Sequence, residues 1–290
     1  MSAIALLRRY RIHPDKALGQ HFLVNDRIAR RIVDATGVDA HTVVLEIGPG
    51  IGALTRQLVE RARHVVGVEI DPALFRVLQA EFADCQNLTL LCQDICDLDI
   101  TEVCRAHGVD DLIVVGNLPY NITGPVIERL LRYRSVIRLA TIMVQQEVGA
   151  RLTAPPGNKT YGALSVIVQY TYQPRLLFRV SPGHFIPRPA VQSVVMTLTP
   201  HPTPPVNVHD PDCLFRLVKA AFRHRRKMLH HALTGDLIPH PDAAQRAEIE
   251  SCTGIDLRRR GETLSLAEFG RLADAIGQRH NRNETAKREM

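Results

Sequence analysis

Thr42-Val43-Val44-Leu45-Glu46-Ile47-Gly48-Pro49-Gly50-Ile51-Gly52 is the stretch on which the fold turns. Its apolar, β-branched start reads as a strand buried on both faces, and its glycines fall where such a strand turns sharply into a helix. Outward from it, similar short runs occupy residues 65–69, 88–92, 112–115 and 139–144, with helical patterns between them. Strands alternating with helices predict consecutive β-α units and an α/β fold around a mostly parallel sheet. Ahead of the first strand, Ile28, Ile32 and Val33 recur at helical spacing within residues 25–36, with Asn25 or Asp26 as N-cap and Gly37 as the stop. After Pro155, Pro156 and Gly157, the runs 164–172 and 191–198 predict an antiparallel hairpin that closes the sheet.

Four prolines between Pro200 and Pro205 can continue neither strand nor helix, and they place a stiff linker there. The expected division is a domain over 1–200 whose first 40 residues form an N-terminal segment, a linker over 201–207, a small all-α domain over 208–278 and an unstructured tail over 279–290. Beyond the linker the patterns are helical only, at 212–233, 241–252 and 265–276, the last opened by Ser265 with Glu268 as a capping box. At 290 residues the chain is long enough for two cores. With 45% hydrophobic and 23% charged residues it is composed as a globular protein and not as a disordered one.

The apolar run at residues 4–7 is too short for a signal peptide or a membrane span, so a cytoplasmic protein with no membrane association is expected. Arg8, Arg9 and Arg11, with no acid before Asp15, suit an organelle transit sequence, but the serine richness of one is missing. Six scattered cysteines lack zinc-ligand spacing, and no metal is expected. A net charge of +6 favours polyanions and makes nucleic acid the first partner to test.

The turn Glu46-Ile47-Gly48-Pro49-Gly50-Ile51-Gly52 lets a ligand approach backbone closely. A nicotinamide-binding fingerprint needs G-x-G-x-x-G and a pyrophosphate at the helix N-terminus, whereas the spacing here is G-x-G-x-G. Glu46 before the turn suits a cationic amino-acid head group better than a pyrophosphate, and a sulfonium cofactor fits that charge. Glu69 closes the second strand, where an acid can accept both hydroxyls of a ribose, and Asp94 follows the third, where a carboxylate can take a hydrogen bond from an adenine amine.

Gly116-Asn117-Leu118-Pro119-Tyr120-Asn121-Ile122 follows the fourth strand at the same sheet edge. The exocyclic amine of adenine is a poor nucleophile because its lone pair is delocalised into the ring, so an enzyme acting there must favour a pyramidal nitrogen. The side-chain oxygen of Asn117 and the main-chain carbonyl of Leu118 can accept the two amine protons, while Pro119 holds the turn and Tyr120 offers a face for stacking.

This motif resembles the N-L-P-Y signature of the ribosomal RNA adenine dimethyltransferase family. Leu18-Gly19-Gln20-His21-Phe22-Leu23 is similar to that family's N-terminal cofactor motif, with histidine at 21 where many relatives have asparagine. Phe185-Ile186-Pro187-Arg188-Pro189-Ala190-Val191-Gln192-Ser193 is similar to its F-x-P-x-P-x-V-x-S motif, with Gln192 where aspartate is frequent. The matches span most of the first 200 residues. The resemblance implies a Rossmann-like class I methyltransferase sheet with an N-terminal helical segment and a small all-α C-terminal domain. It implies S-adenosylmethionine as cofactor, leaving as S-adenosylhomocysteine. Cofactor contacts are expected at Gln20, His21, Leu23, Glu46, Gly48, Gly50, Gly52, Glu69, Asp94 and Asn117, with Tyr120 and Phe185 bracketing the target base.

Leu118, where the macrolide-resistance branch usually has isoleucine, and Tyr161-Gly162-Ala163-Leu164-Ser165-Val166 both look like the small-subunit branch. That branch implies dimethylation of two adjacent adenines in a hairpin loop near the 3′ end of 16S ribosomal RNA; the expected partner is that RNA within an immature small subunit, and the expected state is a monomer. The alternatives are a 23S enzyme of the resistance branch and an assembly factor whose methylation is secondary. Three basic clusters are candidates for gripping phosphates: Arg8, Arg9, Arg11 and Lys16; Arg223, Arg225, Arg226 and Lys227, expected on a helix; and Arg258, Arg259 and Arg260. Solvated helix faces are the competing explanation for each.

Overall fold

The computed structural model describes residues 3–15, 17–234, 237 and 242–288. The chain opens with α1 (Ala3–Arg9), β1 (Phe22–Leu23) and α2 (Asp26–Asp34). Asn25 caps α2, its side chain accepting from the amides of Arg27 and Ile28. There follow β2 (Val43–Ile47), α3 (Thr55–Val59), β3 (His64–Glu69), α4 (Pro72–Glu81), β4 (Leu88–Cys92), α5 (Ile100–His107), β5 (Leu112–Asn117), α6 (Thr123–Arg132) and β6 (Ile137–Gln145). Next come α7 (Gln146–Leu152), α8 (Ala163–Thr171), β7 (Tyr172–Val180), β8 (Phe185–Ile186) and β9 (Ser193–Pro200). The C-terminal helices are α9 (Pro211–Arg223), α10 (Leu229–Ala232), α11 (Ala243–Thr253) and α12 (Leu266–Arg288).

The strands form one seven-stranded sheet in the order β4-β3-β2-β5-β6-β9-β7, with β1 and β8 paired separately. β4, β3, β2, β5 and β6 are parallel, and β9 runs antiparallel to β6. The alternation of strands and helices read from the sequence is therefore the architecture of the molecule. β2 is buried along its whole length, as a central strand covered on both faces must be, and Val44, Val65, Ile113 and Met143 join Leu54, Leu58 and Ile32 in one core. β4 departs from the two-sided burial expected of it: at the sheet edge, it is only half-buried.

The chain divides into two compact units, Met1–Gly149 with Gln173–Pro200, and Ala150–Tyr172 with His201–Met290. The cut expected at the proline run is thus one of three crossings, and residues 150–172 go with the helical unit. The strand expected over 164–172 is instead the helix α8. Its β-branched run favours a strand, but six of its residues are buried, and tertiary burial overrides local preference. Its polar groups are satisfied inside the unit: Ser165 Oγ donates to Arg151 O at 2.6 Å, Gln169 Nε2 to Leu152 O at 3.0 Å and Thr171 Oγ1 to Ile167 O at 3.0 Å. β7, unanticipated, takes the place at the sheet edge.

In the helical unit Tyr161, Phe222 and Phe269 stack in series, and Tyr161 OH donates to Leu264 O at 2.9 Å. The helix expected over 212–233 breaks at Arg223, because the chain turns to bond residues 257–260, Leu229 N donating to Arg259 O and His230 N to Leu257 O. α12 runs on to Arg288, past the point where an unstructured tail was expected, since Gln, Arg, Glu, Lys and Ala propagate a helix once it is nucleated. The capping box at its start is present: Ser265 N donates to Glu268 Oε2 at 2.7 Å and Glu268 N to Ser265 Oγ at 3.2 Å.

Ser265→Ala is expected to lower stability by about 1 kcal/mol, measured by urea unfolding. Although burial pushes the Glu268 carboxyl up, hydrogen bonds from Arg259 and Ser265 hold it down at about 2. Its contribution is complete above the ordinary carboxylate range and is lost as the pH falls through about 2, so Glu268→Gln should flatten the acid limb of stability against pH.

Candidate active site

The strand order reverses at β2, whose neighbours β3 and β5 lead to opposite edges of the sheet. In an open α/β sheet such a switch point leaves a crevice beyond the carboxyl ends of the strands. Both motifs singled out in the sequence open into it: β2 runs into Gly48–Gly52 and β5 into Leu118–Tyr120. A cleft lies there, walled by residues 18–23, Glu46, the glycine turn, Glu69 and Asn117 to Tyr120.

The glycine turn is shaped by backbone that only glycine adopts easily. Gly50 has φ +62° and donates its amide to Glu69 Oε2 at 2.9 Å. Gly52 has φ +78°, and a Cβ there would lie 2.6 Å from a ring carbon of Phe82. Glu69 Oε1 accepts from Asp71 N at 3.1 Å, which leaves lone pairs on both carboxylate oxygens for a ligand. Burial raises the Glu69 carboxyl, with the amides of Asp71 and Gly50 opposing the shift. Asp71 in turn caps α4 and accepts from Gln20 Nε2 at 2.9 Å, fixing the N-terminal segment against this wall.

An adjoining crevice is lined by Gly48, Val68, Ile70, Gln93, Asp94 and Pro119 among others. Asp94 turns one carboxylate oxygen back to Cys96 N at 2.8 Å. An apolar slot with an acid at its rim, beside a second acid on the neighbouring strand, is the chemistry that an adenosine needs. The residues present therefore fit a nucleoside-bearing cofactor with a cationic head toward Glu46.

Asn117 Nδ2 donates to His21 O at 2.9 Å. With its two ends distinct, the amide is thereby oriented, and its Oδ1 is left as an acceptor. Leu118 N donates to Met143 O at 3.1 Å, while among the described residues the Leu118 carbonyl oxygen accepts no hydrogen bond. Pro119 O is taken by Ile122 N and Thr123 Oγ1, which closes the turn. The Tyr120 ring lies 5.2 Å from that of His21, and its hydroxyl is 2.9 Å from Ser193 Oγ. Burial pushes the Tyr120 hydroxyl up, so it stays neutral. His21 Nδ1 donates to Pro187 O at 2.7 Å across the β1–β8 pair, beside the cis Ile186–Pro187 bond.

The candidate cofactor residues Gln20, His21, Leu23, Glu46, Gly48, Gly50, Glu69 and Asn117 all line the cleft, with Asp94 in the adjoining crevice. Gly52 shapes the turn from behind. Phe185 is not brought in: it is 3% exposed and packs with Leu23, Met143 and Val180, so the expected second stacking face is a core aromatic in this structure. Chain geometry explains this, because β8 pairs Phe185 with Leu23 and turns it toward the sheet. Partners missed in the sequence are Thr55 and Asp71, while Pro187 and Ser193 stood in the quoted F-x-P-x-P-x-V-x-S motif without an assigned role. Only Asp71 carried a signal, an N-cap before Pro72.

The basic clusters separate on inspection. Arg8 and Arg11 are exposed, Arg9 pairs with Glu81 at 3.5 Å, and Lys16 lies outside the described residues. Arg223, His224, Lys227 and His231 surround a polar pocket in the helical unit. Arg225 is committed elsewhere, its Nε donating to Glu262 Oε2 at 2.6 Å, and Arg226 is exposed. Arg258 pairs with Asp256 and Arg259 with Glu268, which leaves Arg260 alone of the third cluster without an ion pair among the described residues. Among the described residues no group of three potential metal ligands occurs, and no helix is long and apolar enough to cross a membrane.

A model of the family described as ribosomal RNA adenine dimethylase matches residues 13–272. "Ribosomal RNA small subunit methyltransferase A" of Geobacillus thermodenitrificans (strain NG80-2) is 43% identical over 277 residues, covering 93% of this chain and 94% of the relative. The protein of that name from Alkaliphilus metalliredigens (strain QYMF) is 39% identical over 276 residues, covering 95% and 96%. Among solved structures, a dimethyladenosine transferase from Plasmodium falciparum superposes with a TM-score of 0.69 at 23% identity, over 87% of this chain and 96% of that one. The 23S rRNA methyltransferase ErmE gives 0.68 at 22% identity, over 89% and 100%. These two likenesses concern the fold.

Gly52→Ala is expected to cost about 1–3 kcal/mol, since the added methyl meets the Phe82 ring in a backbone region that disfavours side chains. Denaturant unfolding of the variant measures it.

Proposed function

The chain belongs to the ribosomal RNA adenine dimethylase family, and on that premise we propose that it transfers methyl groups from S-adenosylmethionine to N6 of two adjacent adenines in a hairpin loop near the 3′ end of 16S ribosomal RNA. The product is N6,N6-dimethyladenosine. The observation that carries this reading is the pair of acceptors at the switch point. Among the described residues neither Asn117 Oδ1 nor the Leu118 carbonyl accepts a hydrogen bond, and the other end of the Asn117 amide is held by His21 O. The small-subunit substrate is favoured over the large-subunit one by relatives 38–43% identical over most of the chain that bear the small-subunit name.

When bound, the donor supplies a methyl carbon made electrophilic by its sulfonium. Gly50, Glu69 and Asp94 hold its adenosine, and Glu46 with residues 20–23 holds its amino-acid end. The two acceptors would accept hydrogen bonds from the amine's N–H groups and draw its lone pair out of conjugation, which lowers the barrier without a strong base; in each transfer an N–C bond forms, the donor's S–C bond breaks and one amine proton leaves to solvent. Tyr120 stacks on the extruded adenine, a contact worth about 1–3 kcal/mol by alanine substitution. A loop adenine is extruded at lower cost than one in a duplex. Phe185 acts from the core, holding β8 and thereby the Pro187 carbonyl that orients His21.

Arg8, Arg11, Arg223, Arg226 and Lys227 contact phosphates of the substrate, an immature small subunit in the cytoplasm, with the protein acting as a monomer and without a metal.

Incubation with radiolabelled donor and small subunits lacking these methyl groups, followed by mapping of the nucleotides, should place two methyls on each of two neighbouring adenines. Label on another atom or in the large subunit overturns the reading. Asn117→Ala should reduce transfer about 100-fold or more, the effect of removing one preorganised polar group, while subunit binding persists. Replacing Arg223 and Arg226 by glutamine should each reduce the slope of log affinity against log salt by about one.

A further inference from the structure

Glu46 is an unusually buried acid for a residue at the wall of a ligand cleft. It sits next to last in β2, opposite Gly67 on β3 and Val115 on β5, so its register partners give it no polar side chain. It is 1% exposed yet reaches the wall of the cleft. Its Oε2 accepts from Thr55 Oγ1 at 2.7 Å, and among the described residues no cation pairs with it. The charged and titratable groups around it are few. β3 contributes Glu69, like in sign, and the 18–23 segment and the turn after β5 bring His21 and Tyr120 to the same cleft. Arg56 of α3 is turned away, donating to Ile51 O and lying over the Phe82 ring.

A carboxylate so placed would be stripped of water with only the hydroxyl and backbone amide of Thr55 for compensation and no cation, a state that proteins avoid by keeping the proton. Burial, reinforced by Glu69 and opposed by Thr55, pushes Glu46 up to about 8. Before the donor binds, the cleft therefore presents a neutral acid.

Resting on the donor assignment above, we propose that Glu46 is a proton-coupled binding residue: the ammonium of the donor's amino-acid head displaces its proton to solvent, and the carboxylate then pairs with that ammonium. No covalent bond to carbon or sulfur changes. One O–H bond breaks, the proton goes to buffer, and the pair of charges left in the cleft is neutral overall. Two consequences follow by linkage. Affinity for ligands carrying that head rises with pH across the range where Glu46 alone would still be protonated, and the acid side of the binding profile reports Glu46 and not the reacting amine.

The test is isothermal titration calorimetry of the full chain with S-adenosylhomocysteine, which has the ammonium head but no sulfonium, at pH 6.5 in buffers of different ionisation enthalpy. The ligand's own amine is then protonated, as α-amino groups titrate near 7.7–8.0. Most of one proton should be released per ligand bound, and the dissociation constant should fall by up to tenfold for each pH unit between 6 and 7. Glu46→Gln, which mimics the neutral acid, should release none and bind with a flat pH profile. Binding without release, or equal release by the variant, overturns the proposal while leaving the donor assignment intact; failure of the wild type to bind overturns both. Thermal melts without ligand give an independent check. As pH rises from 6 to 9 the wild type should lose Tm relative to Glu46→Gln, and parallel curves would also overturn it.

Discussion

One hydrogen bond, from Asn117 Nδ2 to the main-chain oxygen of His21, joins the two halves of the site. It spans 96 residues of sequence and ties the N-terminal segment to the end of the central strand β5. An amide has one donor end and one acceptor end, so committing the donor to a carbonyl commits the acceptor to the cleft. His21 is itself fixed through Nδ1 to Pro187 O, and Tyr120 packs beside its ring and is held at its hydroxyl by Ser193. Three distant segments thus converge on a turn of four residues. A preorganised acceptor needs this support, because an Asn free to flip would present an NH2 to an NH2 for half of the time.

The second constraint is the placing of acids in a crevice with low polarity. Glu69 is stabilised by two backbone amides, one of them from the glycine turn, so the turn that opens the cleft also fixes the acid on its wall. Glu46 has only Thr55 to bond it, and burial pushes its carboxyl up. Two carboxyl groups on adjacent strands thereby serve different purposes, decided by how many donors surround each.

The helical unit shows the same economy with cations. Its basic residues looked alike in the sequence, yet Arg225, Arg258 and Arg259 pair with Glu262, Asp256 and Glu268. Arg223, Lys227 and two histidines line a pocket. Charge counted along a chain overstates the charge offered to a ligand, because pairing depends on which acids the fold brings near.

What the sequence alone determined is the set of features with local causes. Five parallel strands were legible within a residue or two from their continuous apolar runs, the glycine turn from its spacing, the caps at Asn25 and Ser265 from side chains that bond to their own backbone, and the acceptor turn at Asn117 from chemistry within four residues. Tertiary structure decided whatever depended on partners far away in the chain. It made α8 a helix against its β-branched composition because burial on all sides outweighs a preference worth fractions of a kcal/mol per residue. It drew residues 150–172 into the helical unit, broke the helix after Arg223, buried Phe185 beneath β1, and oriented the Asn117 amide through His21. In each case the energy lies in contacts between segments tens of residues apart, and a linear pattern carries no record of which segments meet.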